Sequence, residues 1–152
     1  MFKFRLKALK THREFKLREA QAELGVAESA RMRIQSDIER LSELIRQESE
    51  QFEREQENGI GVARYLTFKN HFSSLERELL LSYKKLEKAS REVEKCKQAM
   101  IECDKSVKTL ESIETRDKEL YRLIQSRKEQ RKLDDVAVLR AYRSRTGREE
   151  ES

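Results

Sequence analysis

Apolar residues recur along this chain at alternating steps of three and four, and charged residues fill the intervals. From Leu17 the stepping lands on Ala20, Leu24, Ala27, Arg31, Ile34, Ile38, Leu41, Ile45, Glu48 and Phe52, and nine of these eleven positions are apolar. A second run reads Phe72, Leu75, Leu79, Ser82, Leu86, Ala89, Val93, Cys96, Met100, Cys103, Val107 and Leu110, with eleven of twelve apolar. Such a period puts one narrow greasy stripe on each of two long helices, as a coiled coil requires. Upstream, Phe2, Leu6 and Leu9 continue an apolar face in a less regular phase. Beyond Leu110 the phase is expected to slip to Ile113, Leu120 and Leu123 or Ile124.

Between the two runs lies Asn58-Gly59-Ile60-Gly61, two of the four glycines in a chain without proline. Asn and Gly tolerate the left-handed backbone that ends a helix. The pattern therefore predicts an all-α fold, an antiparallel two-helix coiled coil forming one domain over 1–152. Its parts are a helix at about 4–57, a bend at 58–63, a helix at about 64–142 and a frayed tail at 143–152. A bend near 60–62 sets residue i against a residue near 120–124 minus i. Phe52 then meets Phe72, Ile45 meets Leu79, Leu17 meets Val107, and the acids from Glu48 to Glu57 face Arg64, Lys69 and Arg77. The second helix outruns the first by roughly 25 residues at equal rise per residue. Residues 119–143 should stand alone, with Leu120, Leu123, Leu133 and Leu139 unburied.

Composition supports a thin interface over a thick core. Charged residues make up 41% of the chain and hydrophobic residues 36%, enough for one stripe per helix. The net charge of +5 is unevenly spread. Residues 1–18 hold seven Lys/Arg against Glu14 alone, residues 37–57 hold eight acids, and residues 116–148 hold eleven Lys/Arg against five acids. In a hairpin both basic segments share one end, and such fields steer charged partners. Cys96 and Cys103, seven residues apart on a helix, are too distant for a disulfide. No apolar run approaches a membrane span, and Met1 to Leu6 lacks the core of a signal peptide. A cytoplasmic protein is expected.

No residues assemble into a catalytic set. His12 and His71 stand singly, and Gly59 and Gly61 lack the strand and the Lys-Ser/Thr of a phosphate loop. No enzyme activity, cofactor or metal is expected. The basic run from Arg127 to Arg148 suits a DNA-binding helix in charge, yet Glu129, Asp134 and Asp135 interrupt it, so no nucleic acid is expected. One apolar group lies off the stripes: Leu44, Leu80, Leu81 and Tyr83, with Leu41 and Leu75 beside them. Such a patch on a narrow fold marks a docking site.

Three stretches resemble the flagellar export protein FliJ family: Phe2-Lys3-Phe4-Arg5-Leu6-Lys7-Ala8-Leu9; Asn58-Gly59-Ile60 with Arg64-Tyr65-Leu66-Thr67-Phe68 and Leu75-Glu76; and Arg127-Lys128-Glu129-Gln130-Arg131-Lys132-Leu133-Asp134-Asp135. The resemblance implies a non-enzymatic, stalk-like coiled coil of the bacterial type III export apparatus. It implies binding to the hexameric export ATPase and promotion of its ring, contact with the cytoplasmic domain of the export gate, and handling of export chaperones. It also implies a position at the cytoplasmic face of the inner membrane, held there only through the apparatus. By matching position, the ATPase contact falls to Phe2, Phe4, Leu6, Arg127, Lys128, Gln130, Arg131, Lys132, Leu133 and Asp135. The gate contact falls to Leu41, Leu44, Leu75, Leu80, Leu81 and Tyr83. The equivalent stalk of a virulence injectisome is an alternative, as is a generic coiled-coil scaffold or basic DNA-binding helix.

Overall fold

In the computed structural model the described residues are 1–149, and nearly all of them lie in two helices: α1 (Lys7–Glu57) and α2 (Val62–Glu149). The fold is the expected all-α hairpin. Every one of the eleven stripe positions of α1 and the twelve of α2 is buried or half-buried. The buried set is Phe4, Ala20, Ala27, Ile38, Leu75, Val93, Val107 and Leu110, and all but Phe4 belong to the two stripes. No large side chain is fully enclosed among the described residues. The interface is one side chain deep, so each apolar residue gains from being removed from water on one side only.

The bend is tighter than expected. Gly59 has a φ of 84°, the left-handed region in which an L side chain is strained. Its N–H donates to the Gln56 carbonyl at 3.0 Å, closing the last turn of α1. The Gly61 carbonyl accepts from the Tyr65 N–H at 3.0 Å, so α2 starts at Val62, two residues before Arg64. At the other limit, α2 stays helical through Glu149 rather than fraying from residue 143. The rest of the acidic end, Glu150 and Glu151, lies outside the described residues. Gly147 is inside the helix, where the absence of proline lets good helix formers carry it onward.

The chain groups into two compact units, Glu14–Asp104 and Met1–Arg13 with the chain from Lys105 onward. In the first, Phe52 lies against Phe68, Phe72 and Tyr65, with ring centroids 4.8, 5.9 and 6.0 Å apart. The Phe52–Phe72 pair follows the anticipated register. Arg64 reaches back to both carboxylate oxygens of Glu55 at 3.3 Å and lies 4.7 Å from the Phe68 ring centre, so cation, carboxylate and ring close the bend together. His71 Nε2, rather than Lys69 or Arg77, meets Glu48 at 2.5 Å.

In the second unit, Lys10 Nζ donates to Glu114 Oε2 at 2.6 Å, with both side chains about one-fifth exposed. The Phe2 ring packs on Tyr121 at 5.6 Å, and the Met1 ammonium donates to the Tyr121 hydroxyl at 3.2 Å. Phe4 is buried just ahead of α1, where the Lys7 N–H donates to its carbonyl at 3.2 Å. The apolar phase upstream of Leu17 thus runs through Phe4, whereas Leu9 is 40% exposed. After Leu110 the half-buried positions of α2 are Ile113, Glu114, Asp117, Tyr121 and Gln125, so the expected slip holds at Ile113 while Glu114, Asp117 and Tyr121 keep the three-four stepping, and Leu120, Leu123 and Ile124 are exposed.

Two outcomes follow from this packing. Gly59→Ala should lower stability by about 1 kcal/mol through the left-handed φ, whereas Gly25→Ala, in mid-helix with open space around an added Cβ, should raise it by about 1 kcal/mol. Thermal melts of the two variants check the opposite signs. The Lys10 hydrogen bond, with the charges of Lys10 and Lys118, holds the Glu114 carboxyl below its ordinary value of 4.5. The resulting stabilisation is complete above about pH 4.5 and is lost as pH falls through the folded-state value. The melting gap between the native chain and Lys10→Met should therefore be widest near neutrality and close in acid. A gap independent of pH would leave only the packing of the lysine stem.

Candidate functional site

Two surfaces gather the residues singled out from the sequence, and both are convex or shallow. The first is the end of α2. Ser126 to Arg148 are exposed without exception, including Arg127, Lys128, Gln130, Arg131, Lys132, Leu133 and Asp135. The helix persists here because the segment is rich in Arg, Lys, Gln, Leu and Ala, all strong helix formers. Gln130 Nε2 donates to Asp134 Oδ1 at 3.4 Å, a local contact one turn apart. At about 100° per residue, Lys128, Arg131 and Asp135 fall on one side of the helix with Ile124, Val138 and Tyr142. Leu133 falls on another side, and at 66% exposure it is among the wettest large apolar residues.

The N-terminal residues matched to the same contact divide in two. Phe2 and Leu6 are half-buried, and the Phe2 ring lies against Tyr121, just ahead of this surface in the chain. Phe4 is 8% exposed and serves the core of its unit. A groove beside them is lined by Met1, Phe2, Lys3, Phe4, Lys7, Glu114 and Lys118. Its cations extend the positive character of α2 toward the start of the chain. Tyr121, Lys10 and Glu114 were not singled out from the sequence. Carrying the three-four stepping past Leu110 through Glu114 and Asp117 would have found the first and third.

The second surface is a shallow groove between the helices, lined by Asp37, Arg40, Leu41, Leu44, Glu78, Leu81, Ser82 and Lys85. Leu44 and Leu81 are 41% and 57% exposed, and Leu41 is half-buried beneath them. Of the off-stripe residues grouped from the sequence, the groove joins Leu44 to Leu81 and leaves out Leu80. Leu80 and Tyr83 are exposed outside it, since two residues separate Leu81 from Tyr83 by about 200° around the helix. Leu75 is buried in the stripe at 7% exposure, so it supports this region from within. Charges of both signs border the groove, with Arg40 paired to Asp37.

The polar chemistry elsewhere is structural. Arg46 bridges Glu43 and Glu50 along one face of α1 and draws the Glu43 carboxyl below its usual range by hydrogen bonding. Cys96 and Cys103 are free, and desolvation followed by the Glu92 carboxylate pushes the Cys96 thiol up, away from the reactive thiolate. Among the described residues, no group of three His, Cys, Asp or Glu is placed to hold a metal, and no helix is long and apolar enough to cross a membrane.

A family model described as "Flagellar FliJ protein" matches residues 2–146, which include the bend, the groove of Leu41, Leu44 and Leu81 and most of the exposed end of α2. No curated protein and no solved structure matches the chain significantly. The match covers nearly all of the sequence. The chain belongs to the FliJ family, and with it to the flagellar export apparatus.

Proposed function

We propose that the chain is a non-enzymatic stalk that binds the hexameric export ATPase through the basic end of α2 and favours assembly of its ring. The observation that carries this reading is the fully exposed, helical and cationic segment from Ser126 to Arg148. A ligand that binds the assembled ring better than the free subunit stabilises the ring by mass action. Differential affinity is sufficient, and no catalysis by the stalk is needed. Arg127, Lys128, Arg131 and Lys132 supply the charge, Gln130, Leu133 and Asp135 share the surface, and Phe2 and Leu6 flank it. Phe4 contributes by fixing the N-terminal segment.

The same reading gives the groove of Leu41, Leu44 and Leu81 to the cytoplasmic domain of the export gate, with Leu80 and Tyr83 around it and Leu75 as support. Export chaperones complete the partners, and the chain reaches the membrane face only through the apparatus. What supports the gate contact is the combination of apolar floor and mixed-charge rim, the anatomy of a small protein interface.

Charge reversal at Arg127, Lys128, Arg131 and Lys132 together should abolish stimulation of the ATPase while far-UV circular dichroism stays unchanged, because these side chains pack against nothing. Stimulation that survives in a folded variant removes the basic end as the contact. For the gate, Leu44→Asp with Leu81→Asp should weaken binding of the isolated gate domain by about tenfold or more, as loss of an apolar anchor does. Calorimetric titration against that domain, with Leu120→Asp as the exposed control, reads the effect.

A further inference from the structure

The three-four stepping of α2, met by Lys10 of α1 at Glu114 and by Met1 and Phe2, ahead of α1, at Tyr121, does not stop there. It continues through Ile124, Lys128, Arg131, Asp135, Val138 and Tyr142 on the same α2 helix. Ile124 is 42% exposed, and Val138 and Tyr142 are each 67% exposed. This is a further three heptads of coiled-coil stripe with no helix upon it among the described residues. Its charged positions have a precedent in the covered part. Glu114, on the stripe of α2, takes Lys10 from the facing helix at 2.6 Å, and Glu48, on the stripe of α1, takes His71 at 2.5 Å. At these two charged stripe positions the opposite helix supplies an oppositely charged or chargeable partner.

We infer that residues 124–142 of α2 are a docking face for an amphipathic acidic helix of a partner protein, which would extend the coiled coil past Tyr121, where the residues ahead of α1 end their cover. The face specifies the occupant. Carboxylates belong opposite Lys128 and Arg131, a cation opposite Asp135, and apolar side chains opposite Ile124, Val138 and Tyr142. The surplus of cations along the whole segment favours a negative partner and disfavours a second copy of this chain, whose equal charge would oppose pairing. The inference rests on the reading of this end as a partner contact and adds to it a mode: helix on stripe, not diffuse charge on charge.

Equal changes of charge at two places on the helix test it. Lys128→Glu with Arg131→Glu alters the stripe; Arg122→Glu with Arg140→Glu makes the same change on the side facing away. A third variant, Val138→Ser with Tyr142→Ser, alters no charge. The probe is a fluorescent designed 21-residue peptide with glutamates and leucines at the spacing above, titrated into the full chain by anisotropy. The stripe pair and the serine pair should each weaken binding by about tenfold or more, and the outward pair by less than about threefold. Equal losses from both charge pairs, or binding indifferent to the serines, would overturn the inference. So would sedimentation showing the native chain to be a dimer that the serine variant dissociates. Association with the export ATPase, measured on the same variants, separates the two readings. Loss with the stripe charges but not with the serines leaves the ATPase contact standing and removes the helix mode; indifference to all three removes the ATPase contact while peptide binding stands or falls by itself.

Discussion

The removal of one apolar stripe on each helix from water by the other is the interaction on which the rest of the structure depends. Neither helix has a second buried face, and no side chain is wholly enclosed among the described residues. A lone helix this polar would gain little from burial, so its order comes from the tertiary partner rather than from propensity alone. The stripe also fixes the register, because a slip of one residue would turn the charged intervals inward. At the bend, the Phe52 cluster and the Arg64–Glu55 bridge select one register locally. At the other end, Lys10–Glu114 and Phe2–Tyr121 do the same.

Among the described residues the grooves between and beside the helices are shallow, and the two helices leave the end of α2 uncovered. Cover of α2 ends near Tyr121, where Met1 and Phe2 meet it, and Ser126 to Arg148 beyond are exposed. The groove of Leu41, Leu44 and Leu81 arises differently. Apolar side chains that sit one position beside the stripe cannot enter the interface, and they collect along its edge.

Several features were legible in the residues. The stripe positions from Leu17 to Phe52 and from Phe72 to Leu110, the left-handed glycine at the bend and the Phe52–Phe72 register all follow from spacing and from the lack of a Cβ. The family was legible too, in the aromatic-basic start, the bend and the Arg127–Asp135 run, and the match over residues 2–146 agrees with it. Other features were hidden for identifiable reasons. Phe4 reads as one aromatic in an irregular phase, and only the turn before α1 buries it. Glu114 and Asp117 are polar, so a search for apolar residues moves to Leu120 and Leu123, although the backbone stepping continues unchanged.

Sequence by itself therefore determined the helices, their stripes and the point at which the chain turns, because each depends on local period and on single-residue backbone freedom. Tertiary structure decided which charges meet across the interface, which of the off-stripe leucines share a groove, and where cover ends on α2. Those outcomes depend on the relative rotation of two facing helices. A rotation of one residue's width exchanges Leu80 for Leu81 without altering the period that the sequence records.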